Sequence, residues 1–236
     1  MTKHAFITGI GHRLGYYLAC QLLEKGYKVS GHYHQERPNI ELLRDQGVTL
    51  FQADFCQENS VKDFIGELSH IQQLDVLIHN ASAFFPNQSD PWQQAEDLTK
   101  LVAVHMQVPL LITEVLKQAL SNSDNGCIVA MTDIYVHHPN EHYSAYCASK
   151  SGLDSLMQSY ARLLAPSVRV NCIEPGPILF LPEHSEAYRQ QVMQQTLLNC
   201  EGGFEPIWQT LQMILQNQFL TGARIAVDGG RSVAKL

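Results

Sequence analysis

Three side chains in the segment TDIYVHHPNEHYSAYCASK have the chemistry to move a proton together: Asp133, Tyr146 and Lys150. A spacing of four residues puts Tyr146 and Lys150 on one face of a helix. A lysine ammonium beside a phenol favours the phenolate, drawing its pKa from roughly 10 toward neutrality and making Tyr146 a candidate general acid or base. Such pairs arise by chance on many helix surfaces, so the elements that would position this one must supply the context.

The first of these elements lies at the N-terminus, where the apolar stretch HAFIT runs into the glycine-rich GIGHRLG and then into an amphipathic helix ending near Gly26. Strand, glycine turn and helix N-terminus in that order form a dinucleotide-binding unit. Gly9 and Gly11 let the backbone turn sharply and approach a pyrophosphate, and Gly15 lets the helix pack close to the strand. Arg13 puts a cation in the first turn of the helix, against the macrodipole, at a cost of about 0.3 to 1 kcal/mol that a nearby anion would offset. The competing readings are a βα turn without a ligand and an arginine that simply reaches solvent.

Further along, AFITG, YKVSGHY, VTLFQAD, LDVLIHN, CIVAMT, VRVNCIEP and ARIAVDG are seven strand candidates separated by helical patterns. Right-handed crossovers and burial of both sheet faces make this an α/β chain, a Rossmann-type doubly wound parallel seven-stranded sheet with helices on both faces. The 236 residues, 45% of them hydrophobic, suit one domain. The stretch from Pro175 to about Asn199, with helix signals in EAYRQQVMQQTLL, reads as an insertion lying over the carboxyl ends of the strands, where ligands bind in such sheets. A net charge of -7 without a basic run argues against nucleic acid or anionic membrane as a partner. The six cysteines form no C-x-x-C pair, and they read as small buried residues in a reducing cytoplasm. No signal peptide is expected before a strand beginning so near Met1, nor an apolar run approaching the roughly 20 residues that span a bilayer. His137, His138 and His142 flank Pro139 without metal-site spacing, so no metal is expected.

Taken in order, these motifs resemble the short-chain dehydrogenases/reductases, and within them the pteridine reductases and bacterial dihydromonapterin reductases. TGIGHRLG has Arg13 where the common turn TGxxxGxG has its middle glycine, HNASAFFP from His79 resembles the pterin branch's NNAS segment, and Asp133 stands where most of the family has serine. PGPILF from Pro175 and VDGG from Val227 match the start of the family's substrate loop and its C-terminal strand, and EHSEAYRQQ favours the bacterial comparison over the protozoan one.

The resemblance implies NADPH-dependent reduction of a dihydropterin, like dihydromonapterin and also dihydrofolate, in a cytoplasmic homotetramer built on helices from Asp97 to Ala119 and from Tyr143 to Leu164. It assigns a cofactor-binding half to about residues 1–130 and a catalytic and substrate-loop half to about 131–236. Gly9, Ile10, Arg13 and Leu14 would hold the pyrophosphate side; Tyr33, His34 and Arg37 the adenosine phosphate; Asp54 and Phe55 the adenine. Asn80 and Ala81 would line the adenosine and ribose side, Lys150 would hold the nicotinamide ribose, and Ser82, Thr132, Pro175, Gly176 and Ile178 would complete the cofactor-binding set. For the substrate, Phe84 would stack a flat ring, with Arg13, Ser82, Asp133 and Tyr146 around it. The competing readings are a capping turn at Asn80 and a core phenylalanine at Phe84.

GHYHQERP has no acid from Gly31 to His34, which favours a 2'-phosphate, while Glu36 opposes one unless it turns away. An ionised Asp133 cannot donate a hydrogen bond, and its charge raises the phenol pKa against Lys150, so the pair suits protonation of a ring nitrogen better than stabilisation of an alkoxide. His105, four residues before Pro109, replaces the family's asparagine and is left outside the catalytic set as a core histidine. Two alternatives stay open: a reductase of ketones or acyl-carrier thioesters, and a non-catalytic NADPH-binding sensor.

Overall fold

The computed structural model describes residues 2–182 and 184–234. Seven strands form one parallel sheet: β1 His4–Thr8, β2 Lys28–Tyr33, β3 Thr49–Gln52, β4 Val76–His79, β5 Gly126–Met131, β6 Val168–Pro175 and β7 Arg224–Val227. Their order is β3-β2-β1-β4-β5-β6-β7 with every pairing parallel. The order reverses between β1 and β4, which opens a crevice beyond their carboxyl ends.

Alternation along the strands explains the two-sided core. Ala5, Ile7, Val76, Ile78, Cys127 and Val129 pack into one buried cluster, while Phe6, Leu77, Ile128 and Ala130 pack into the other. The first cluster takes the buried stripes of α1 Arg13–Glu24 and α8 Glu205–Gln216; the second takes α3 Glu58–Leu68, α5 Val108–Ser121 and α6 Ser144–Leu163. The short α2 Pro38–Asp45 covers the first face with Ile40 and Leu43.

The central helix expected from Asp97 to Ala119 starts earlier and is interrupted. It runs as α4 Pro91–Val102, a π-helical turn Ala103–Gln107, and α5. Asp90 caps its start, its carboxylate accepting from the Trp92 amide at 3.0 Å, with Pro91 in the first turn. This joined helix, Pro91–Ser121, is long and apolar enough by composition to cross a membrane, which corrects the expectation that no run approaches that length. Its apolar side is a core stripe: Leu101, Ile112, Leu116 and Leu120 are fully buried, and the helix packs on α3, α6 and the sheet. Helix α6 is fixed to the far edge of the sheet, where Arg224 of β7 donates to both Asp154 oxygens at 2.7 and 2.6 Å. The segment after β6 carries α7 Glu186–Gln194 and leads into α8 before β7.

Candidate active site

The glycine turn after β1 is shaped by contacts that tolerate no side chain. Gly9 lies at φ +71°, and a Cβ on Gly15 would come within 2.1 Å of the Gly9 carbonyl oxygen. Asn80 ties the turn to β4: its side-chain amide donates to the carbonyls of Thr8 at 2.9 Å and Gly9 at 3.3 Å, so it works as a clamp. Thr8 completes the tie, its hydroxyl oxygen accepting from the amides of Asn80 and Ala81 at 2.9 Å each.

A further clamp, His32, escaped the sequence reading. Its Nδ1 accepts the Gly9 amide at 3.3 Å, which leaves the proton on Nε2 to donate to the Ala53 carbonyl at 3.0 Å, and its ring stacks on Phe55 at 3.9 Å. Burial pushes its pKa down to about 4, so the ring is neutral and its tautomer is set by these two bonds. The only hint in the sequence was the HYH triplet; the pairing of His32 with Thr8 across β2 and β1 is what turns the ring to the glycine turn.

Between the turn, the ends of β2 and β3 and the loop after β4 lies a cleft of about 700 Å³. Gly9, Arg13, Leu14, Tyr33, His34, Arg37, Asp54, Phe55, Asn80, Ala81, Ser82 and Phe84 all line it, as do Gly11, Gly15 and Cys56. The α1 N-terminus carries no side-chain cap and no acid in its first turn, leaving its amides for an anion. Glu36 turns away from this cleft, accepting the Tyr33 hydroxyl at 2.6 Å and Arg44 at 3.3 Å. His34 stands 3.7 Å from the Asp54 carboxylate. Arg13 has a left-handed φ of +46°, and its guanidinium donates across the crevice to the Leu179 carbonyl of the loop after β6.

Other expected cofactor residues lie off these walls. Ile10 is fully buried, with its amide bonded to the His32 carbonyl at 2.9 Å. The Thr132 hydroxyl is turned inward to the Ile173 carbonyl at 3.2 Å. Pro175 ends β6, the Gly176 amide donates to Val227 at 3.0 Å, and Ile178 packs against the core.

Asp133, Tyr146 and Lys150, the candidates for proton transfer, do converge. The Tyr146 hydroxyl donates to Asp133 Oδ2 at 2.8 Å, and Oδ1 accepts the Tyr135 amide at 2.9 Å, so Asp133 caps a short 3-10 turn, Ile134–Val136. Lys150 is buried and donates to the Met131 carbonyl at 2.8 Å, with its nitrogen 5.8 Å from the centre of the Tyr146 ring. Burial lifts the Tyr146 pKa well above 10, and the Asp133 charge and hydrogen bond lift it further. The expectation that Lys150 would draw the phenol toward neutrality is therefore corrected: desolvation and the carboxylate outweigh the ammonium. Burial also raises Asp133, against its bonds from Tyr135 and Tyr146 and the charges of Lys150 and Arg231. Lys150 itself is pushed down to about 8 by burial, with Asp133 opposing.

Phe84 is 52% exposed, which excludes the core reading, and its ring stands edge-on to Tyr146 at 4.7 Å. Tyr143, packed on Phe84 at 4.5 Å, and Tyr135, stacked on Tyr143 at 6.4 Å, extend the same wall.

His105 sits on the π-helical turn, fully buried and woven into the site. Its Nε2 accepts the Ala83 amide at 3.3 Å and faces the Ser82 hydroxyl at 2.8 Å, which puts the ring proton on Nδ1, donated to Ser149 Oγ at 2.8 Å. Ser149 passes on a donation to the Tyr146 carbonyl at 2.8 Å. Burial, and then the Lys150 charge, hold this imidazole well below its ordinary pKa. A neutral His105 thus braces the loop bearing Ser82 against the first turns of α6.

A family model described as enoyl-(acyl carrier protein) reductase matches residues 9–232. Over 228 residues the chain is 35% identical to a dihydromonapterin reductase of Enterobacter sp. (strain 638), covering 95% of both chains. It is 33% identical over 228 residues, again 95% of both, to a dihydromonapterin reductase of Klebsiella pneumoniae. Among solved structures it is similar to FolM alternative dihydrofolate reductase 1 from Brucella canis complexed with NADP, with a TM-score of 0.87 and 26% identity over 99% of this chain and 95% of that one.

Proposed function

The chain belongs to the short-chain dehydrogenase/reductase family, and we propose that it reduces a dihydropterin to the tetrahydro form, adding hydride and a proton across a ring C=N bond with NADPH as reductant. One observation carries this reading: the carboxylate of Asp133, not a serine hydroxyl, accepts the Tyr146 hydroxyl at 2.8 Å. A ketone reductase gains from a second hydroxyl donor on the carbonyl oxygen, and an ionised carboxylate cannot donate one.

The crevice fits a dinucleotide phosphate by its own chemistry. Its glycine turn leaves room only for backbone, α1 presents uncapped amides, and Glu36 is held aside by Tyr33 and Arg44 while His34 and Arg37 stay on the wall. When bound, NADPH supplies the hydride. Tyr146 gives its proton to the ring nitrogen beside the reduced carbon, the Asp133 carboxylate orients the hydroxyl for that transfer, and a proton from solvent then restores the phenol. Lys150 supplies the positive charge behind the pair and would hold the nicotinamide ribose of the bound cofactor. Phe84 gives the flat ring an apolar face. Ser82 spends its donor on His105 and offers lone pairs to a pterin amino group, with Arg13 at the opposite edge.

Residues up to about 130 then serve the cofactor and the rest serve chemistry and substrate, although Ser82 and Phe84 cross that division. A cytoplasmic homotetramer remains part of the proposal; exposed Leu98, Leu110 and Leu163 on α4, α5 and α6 support a covered helical face.

The test follows NADPH oxidation with dihydromonapterin, dihydrobiopterin, dihydrofolate and a simple ketone side by side. Pterin turnover well above ketone turnover is expected, and Asp133→Ser should cost pterins at least tenfold more than ketones. Faster ketone reduction, or an equal loss for both classes in the variant, overturns the reading. Tight NADPH binding without turnover of any substrate would point instead to a sensor.

A further inference from the structure

Arg231 lies outside the Tyr146, Asp133 and Lys150 cluster, on the 3-10 turn Arg231–Val233 that follows β7. Its guanidinium carbon stands 5.9 Å from the centre of the Tyr135 ring. Through Nη2 it donates to Gln195 Oε1 at 2.8 Å and to the Tyr135 hydroxyl at 3.4 Å. Both partners are neutral. Among the described residues no carboxylate lies within 4.0 Å of this guanidinium, and its Nε and Nη1 donors have no partner. Arg224, by contrast, is spent on Asp154.

The position of this cation gives it meaning. Phe84, Tyr143 and Tyr135 form a continuous aromatic wall that begins against Tyr146 and ends under Arg231. Gln195, just beyond α7, holds the guanidinium from the substrate-loop side, so the arginine is oriented rather than loose. Burial raises the pKa of Asp133, and the charge of Arg231 reaches far enough to work against that rise.

We propose that Arg231 is a specificity-determining residue that binds a carboxylate on the tail of a flat substrate whose ring lies at Phe84 and Tyr146. The inference rests on the pterin reading and deepens it: the site would distinguish pterins with acidic tails from those with neutral ones. The Nε and Nη1 hydrogens stay free for charge-assisted bonds to a carboxylate, and neither Gln195 nor Tyr135 brings a charge to neutralise the guanidinium. A neutral tail would gain only part of this.

The test is calorimetric titration of the protein saturated with NADP+, using folate, which carries an anionic tail, and 6-hydroxymethylpterin, which carries none. In Arg231→Gln, folate should weaken about tenfold, the equivalent of about 1.4 kcal/mol, while the neutral pterin stays within about twofold. Arg231→Lys should recover part of the difference, since it keeps the charge and loses the planar, pre-oriented set of donors. Raising the salt concentration should weaken folate binding in the unsubstituted protein more than in Arg231→Gln. An unchanged ratio of folate to neutral pterin affinity in Arg231→Gln overturns the role of Arg231 and leaves the pterin reading standing. Failure of the unsubstituted protein to bind either ligand overturns both.

Discussion

Tyr146, Asp133 and Lys150 set one another's protonation, and the direction of each effect follows from the geometry. The carboxylate raises both the phenol and the ammonium pKa, because it favours the protonated form of each. Removing its charge in Asp133→Asn should therefore move the alkaline limb of the rate profile to lower pH. In the unsubstituted protein that limb should fall near the Lys150 value of about 8. A limb that stays in place in initial-rate measurements across pH would mean that the carboxylate does not act on the pair. His105 gives a second prediction at this scale. Its three ring contacts brace Ser82 and the Tyr146 turn, so His105→Phe, similar in size but without ring nitrogens, should cut kcat by at least tenfold. His105→Asn should restore part of that rate through its amide. Equal loss in both variants, with lowered melting temperatures, would reduce His105 to a packing residue. The sequence displayed Tyr146 and Lys150 because their spacing is helical, and Asp133 because it stands where the family has serine, but it hid the role of His105, since a buried histidine looks the same whether it braces a site or fills a core.

The elements hold these residues through close approaches that single atoms would spoil. At Gly15 an added methyl would collide with the Gly9 carbonyl oxygen and come within 2.7 Å of the Asn80 amide, forcing α1 away from the turn. Gly15→Ala should then lose NADPH affinity by at least tenfold and stability by about 1 to 3 kcal/mol, read by cofactor titration and urea unfolding. Unchanged cofactor binding would show that the turn does not approach the pyrophosphate. Arg13 carries strain of about 1 kcal/mol by adopting a left-handed backbone where a glycine would be free, and it gains a tie to Leu179 across the crevice. That substitution was legible in the motif TGIGHRLG, while the tie was not, because residues 13 and 179 meet only when β1 and β6 are set in one sheet. The π-helical turn was equally hidden. It inserts where α4 becomes α5 and puts His105 into the site, with Met106 against Gly152 of α6.

At the scale of the whole molecule, His32, His79 and His105 are buried almost completely, and burial depresses all three pKa values, to about 4 for His32 and about 3 for His79. Each ring is neutral when folded and titrates near 6.5 when unfolded. The unfolded chain therefore binds more protons below that pH, so the stability these rings contribute is intact above 6.5 and is lost as the pH falls toward 4. His32 and His79 should each contribute a loss on the order of 3 kcal/mol over that interval. Urea midpoints measured from pH 7 to 4 should fall steeply, and His32→Gln should flatten the slope; a slope unaltered in the variant would assign acid lability to other groups. The sequence by itself determined the sheet, its seven strands, the glycine turn and the Tyr146–Lys150 helix face, because these depend on local periodicity and on spacings within one element. Only the tertiary structure decided that Glu36 turns aside, that Asp133 lifts the phenol pKa against Lys150, and that Arg231 ends the wall begun by Phe84. Those outcomes depend on burial and on contacts between residues far apart in the chain, and no local pattern encodes either.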